Sequence, residues 1–109
     1  MYRSRDANTS HRLDFDLVNK TALPALERLC RRWLPEGHRE GSEWVCGDLS
    51  GKPGRSLRVR LTGPKAGVWR DFAEGVGGSD PVSLAAAVAG ISQGEAGRGL
   101  AEMLGVRHG

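Results

Sequence analysis

The stretch from Gly67 to Leu84, Gly-Val-Trp-Arg-Asp-Phe-Ala-Glu-Gly-Val-Gly-Gly-Ser-Asp-Pro-Val-Ser-Leu, constrains the fold more than any other part of the chain. Val68, Trp69 and Phe72 favour a strand, and Gly75, Gly77 and Gly78 interrupt it with turn chemistry. Asp80 followed by Pro81 is an N-cap with proline at the first helical position. The chain must pass from sheet to helix within one short glycine-rich connection.

Composition limits what can surround that element. A chain of 109 residues with 39% hydrophobic and 6% aromatic residues and 16 glycines supports one small domain with a modest core and many turns. The net charge of +3 favours contact with nucleic acid or an acidic protein surface, although a merely solvated basic face would give the same number. Arginine outnumbers lysine amid abundant glycine and alanine, so the arginine excess is weak support for phosphate binding. Cys30 and Cys46 are the only cysteines and form no CxxC pair, which excludes a disulfide framework and a cysteine-rich zinc site and points to a reducing cytoplasm. The N-terminus has no apolar signal region, and no window reaches the ~18 apolar residues of a membrane span.

Residues 1–18 are polar, carry Arg3, Arg5, His11 and Arg12, and read as a flexible basic arm, with Leu13, Phe15 and Leu17 able to dock as a short edge strand. Residues 19–109 form a single domain. Leu23, Leu26, Leu29, Cys30 and Trp33 recur at three- and four-residue steps, which predicts an amphipathic helix from Ala22 to Leu34 with Pro24 in its first turn. Three strands are predicted at Glu43–Gly47, Ser56–Leu61 and Gly67–Phe72, joined by turn-forming links into an antiparallel meander. Within the middle strand Leu57, Val59 and Leu61 alternate with Arg58 and Arg60, so one sheet face is core and the other basic. A short helix follows Asp80 and closes at Gly90. Ser92 and Glu95 then form a capping box for a last helix to about Leu104, burying Ala96, Leu100, Met103 and Leu104.

The order Trp44-Val-Cys46, Ser56-Leu-Arg-Val-Arg-Leu61, the Gly67–Asp80 segment, Val82-Ser-Leu84, Ser92-Gln-Gly-Glu-Ala96 and Leu100-Ala-Glu-Met-Leu-Gly105 resembles the N-terminal zinc-binding domain of DNA primases. It is most similar to the versions that begin phage and plasmid primase-helicases, and the likeness covers residues 22–105. The resemblance implies an α+β, zinc-ribbon-like fold: a three-stranded antiparallel sheet with an N-terminal helix and two C-terminal helices. Metal-binding members carry Cys-x2-His on the first hairpin and Cys-x2-Cys after the third strand. Here Cys46 matches the first ligand, while the other positions fall at Leu49, Asp71 and Glu74. Zinc could be retained only through a mixed set such as Cys46, Asp71, Glu74 and His38. The simpler expectation is a zinc-free, cofactor-free descendant in which Trp44, Trp69, Phe72 and Trp33 replace the metal clip. Asp71 and Glu74 would then accept hydrogen bonds from turn amides, pair with Arg70, or offer an acidic spot to a partner.

Arg55, Arg58, Arg60, Lys65, Trp69 and Arg70 are the candidate binding residues. Cations on a sheet can follow phosphates while an exposed aromatic stacks on an unpaired base, and in primases the related domain touches the single-stranded template. The alternative is that Trp69 is core and the arginines are a solvated face. The Gly75–Gly78 run lacks the Gly-Lys-Ser/Thr of a nucleotide-binding loop, and no nucleophile with its base is apparent, so no catalysis is expected. Single-stranded DNA is the expected partner, in replication of a phage or mobile element. The competing reading is an accessory protein of such an element that binds a host or phage replication or defence protein, for example as an anti-CRISPR.

Overall fold

Local chemistry sets where each helix begins. The computed structural model describes residues 14–106. Asp14 caps helix α1 (Phe15–Ala22), its carboxylate accepting the Leu17 amide at 3.1 Å. Phe15 and Leu17, expected as an edge strand, are therefore helical, and Val18, assigned to the arm, is fully buried. The rest of the expected arm lies outside the described residues. Pro24 has no amide hydrogen with which to continue a helical ladder, and it sits in a 3₁₀ turn (Leu23–Ala25). The single helix expected over Ala22–Leu34 is thus a tight turn followed by α2 (Leu26–Trp33).

Among the described residues the sheet has five strands rather than three. In order they are β1 (His38–Glu40), β2 (Glu43–Cys46), β3 (Leu57–Arg60), β4 (Trp69–Asp71) and β5 (Val76–Gly78), each antiparallel to its neighbour. The expected strands are β2, β3 and β4. Strand β1 is a short polar edge without apolar alternation, and β5 is the glycine run that reads as a turn. The actual turn spans Phe72–Gly75. The Asp71 carboxylate accepts the Ala73 and Glu74 amides at 3.1 and 3.2 Å, and Gly75, at φ 70°, donates its amide to the Asp71 carbonyl. Strand β5 then runs close against its surroundings. A Cβ on Gly78 would meet Trp69 Nε1 at 2.5 Å and collide with the Ser83 hydroxyl.

Helices α3 (Pro81–Ala89) and α4 (Gln93–Leu104) begin at the expected caps. Asn19 of α1 accepts the Val82 amide at 2.9 Å, which fastens the first helix to the start of α3. The inner sheet face packs against α2 and Leu84, with Leu26, Cys30, Leu34, Trp44, Leu57 and Val59 in one core. A second core lies among the helices, from Val18, Ala22, Leu29, Val82, Leu100 and Ala101. Trp33 packs against both. Each fully buried aliphatic side chain contributes roughly 1.5–3 kcal/mol, which lets a chain with few aromatics hold this arrangement. Met103, expected inside, is 49% exposed, and Phe72, expected as a core substitute, is 64% exposed. No helix among the described residues is long and apolar enough to cross a membrane.

Candidate nucleic-acid interface

Strand registry sorts the charged side chains. Trp44, Val59 and Trp69 align across the sheet, as do Cys46, Leu57 and Asp71, and these rows face the core. The intervening rows, His38–Val45–Arg58–Arg70 and Glu40–Glu43–Arg60, lie on the opposite face. There Arg58, Arg60, Lys65 and Arg70 line a groove of about 360 Å³ with Glu43, Val68, Phe72 and the little-exposed Trp69. Lys65 is held at its margin by the tight β3–β4 loop, in which Gly67 donates to the Arg60 carbonyl at 2.8 Å and Val68 to the Lys65 carbonyl at 3.1 Å.

Among the described residues, four cations therefore face one carboxylate: Arg58 donates to Glu43 at 3.0 Å, whereas Arg60 Nε stands 3.9 Å from the same carboxylate and has no hydrogen-bond partner. Lys65 and Arg70 form no ion pair among the described residues. Exposed Phe72 and Val68 add an apolar margin to this basic surface. Alternation along β4 was the available signal for both, since Val68, Arg70 and Phe72 share a parity opposite to Trp69 and Asp71.

Trp69 is not an exposed stacking residue. It is 4% exposed, and its indole donates to the Ser83 hydroxyl at 3.0 Å. Ser83 in turn donates to the Asp80 carbonyl at 2.7 Å, so Trp69 pins the sheet to the cap of α3. Arg55 is also set apart from the groove. Its guanidinium forms a two-pronged pair with Glu40, which His38 also contacts at 2.7 Å. The Arg55 guanidinium, then His38, hold the Glu40 carboxyl down at about 2.

The positions matching zinc ligands are occupied by other interactions. Cys46 is buried, its thiol directed to the Asp48 carbonyl at 3.4 Å, and burial pushes it up to about 11. Burial likewise pushes Cys30 up to about 12, so neither thiol is poised as a thiolate. Asp71, 1% exposed, caps the β4–β5 turn through the two amides described above, the first of the uses expected for it. Glu74 is exposed, and Leu49 packs against the sheet core. Fully buried Leu57 stands between Cys46 and Asp71 in the registry. His38 is on the opposite sheet face from both, which breaks the mixed ligand set. Among the described residues no three His, Cys, Asp or Glu side chains cluster as metal ligands would.

No family model, curated protein or solved structure matches the chain.

Proposed function

We infer that this chain is a non-catalytic nucleic-acid-binding module whose target is single-stranded DNA. The observation that carries the reading is the outer-face groove, where Arg58, Arg60, Lys65 and Arg70 adjoin the exposed ring of Phe72. Four cations can follow a phosphate backbone, and a base stacked on an aromatic ring gains about 1–3 kcal/mol. Single strands suit this surface better than duplex, because in a duplex both faces of each base are already covered by neighbours. The primase resemblance supports the same assignment and suggests a setting in replication of a phage or mobile element. In that view the domain is a zinc-free relative in which the Asp71 turn and the buried tryptophans hold what a metal would otherwise clip.

The test is fluorescence anisotropy with a labelled oligothymidine at rising salt. Four phosphate contacts on a single strand give a slope of up to about −3 in log K against log salt. Arg60→Glu combined with Arg70→Glu should abolish binding. Salt-insensitive binding, or none to the wild-type chain, removes the reading.

A further inference from the structure

The apolar residues of the C-terminal helices do not all reach a core. Ile91 and Met103, 42% and 49% exposed, join Trp33, Val88 and Leu100 around a groove of about 220 Å³. Glu95 also lines this groove, but its carboxylate accepts the Ser92 amide at 3.3 Å in the cap of its own helix. Met103 borders a second groove, of about 540 Å³, where α4 meets α2 and the wall is Arg28, Arg31 and Arg32. The two grooves meet at Met103, which joins an apolar trough to an arginine wall. Arg31 is engaged with Glu27 at 2.8 Å, while Arg28 and Arg32, one helical turn apart, form no ion pair among the described residues.

We propose that these joined grooves dock an acidic amphipathic helix of a protein partner. Such a helix places apolar side chains at i, i+3, i+4 and i+7 into a trough and carries carboxylates along its flank. Arginine forks match carboxylates in paired geometry, so Arg28 and Arg32 select the charge while Ile91 and Met103 select the apolar stripe. A nucleic acid satisfies only half of this surface. Its phosphates would meet the arginines but leave the trough unfilled, and Trp33 is too covered to stack on a base. A second copy fits poorly as well, because a two-fold interface would bring like-charged arginine walls together.

The experiment uses the full chain and a fluorescein-labelled synthetic peptide with leucines at i, i+3, i+4 and i+7 and glutamates on one flank. Saturable binding is expected. Arg28→Glu with Arg32→Glu, both on the surface, should weaken it by about tenfold or more. Met103→Lys should weaken it too, and Arg70→Glu should leave it unchanged. A peptide of the same composition, scrambled so that the leucines share no face, should not bind. The proposal is overturned if the peptide does not bind, or if the scrambled peptide binds equally well. It is also overturned if the Arg28 and Arg32 reversals abolish oligothymidine binding instead of peptide binding. A concentration-dependent dimer that Met103→Lys disrupts would assign the surface to a second copy and overturn it likewise.

Discussion

Residues on the two faces of β4 are chain neighbours with opposite duties. Trp69 and Asp71 point inward, one fastening the sheet to the α3 cap and the other closing the β4–β5 turn, while Arg70 points outward beside the exposed ring of Phe72. On the inward face, geometry and satisfied hydrogen bonds set the energetics, so substitutions there act on stability. In the outward groove, Arg58, Arg60, Lys65 and Arg70 stand against the carboxylate of Glu43, so substitutions there are expected to act on the proposed binding.

The largest separation between the faces is expected at Trp69 and Arg70. Trp69→Ala removes a buried ring and the Ser83 bond and should cost about 3–5 kcal/mol by urea denaturation, whereas Arg70→Ala should stay within about 0.5 kcal/mol. Equal losses at the two positions would erase the distinction. Asp71→Ala leaves two turn amides without their acceptor and should cost roughly 1–3 kcal/mol in the same assay, with Asp71→Asn losing less because its amide oxygen can take both bonds. Phe72→Ala should leave the denaturation midpoint in place and weaken oligothymidine binding by about 1–3 kcal/mol. A stability loss with unchanged binding would move Phe72 to the structural side.

The smallest expected effect concerns the Arg55–Glu40 pair, which lies on the outer face apart from the groove. With its carboxyl held at about 2 against an ordinary 4.5, Glu40 binds fewer protons in the native state than in the unfolded state. Its stabilisation is complete above about pH 4.5 and is lost as pH falls through about 2. The difference in thermal midpoint between the wild type and Glu40→Gln should therefore be small and should close over that acid range. A gap that widens on acidification would contradict the assigned pair.

Features set by neighbouring residues were legible in the sequence. The caps at Asp80 and Ser92 and the alternation of β3, which separates Arg58 and Arg60 from Leu57 and Val59, appear where expected. The same alternation applied to β4 would have separated Trp69 from Arg70 and brought out Phe72. Strands β1 and β5 were hidden for a different reason. Backbone pairing alone builds them, β5 from Val76, Gly77 and Gly78 and β1 from charged residues, so neither shows an apolar pattern. The partner of Arg55 depends on a contact between distant parts of the chain, which no local pattern encodes. Met103 has helical spacing for burial from Leu100 but remains half-exposed beside the α2 arginines.

In the proposed function the outer sheet face, and not the helical surface, receives single-stranded DNA. The most direct test is the titration of ¹⁵N-labelled chain with oligothymidine, followed by amide chemical shifts. The shifts should concentrate at Arg58, Arg60, Lys65, Arg70 and Phe72 and spare Arg28 and Arg32. Shifts centred on Arg28 and Arg32, or none at saturating oligonucleotide, would rule out the outer sheet face as the DNA-binding surface.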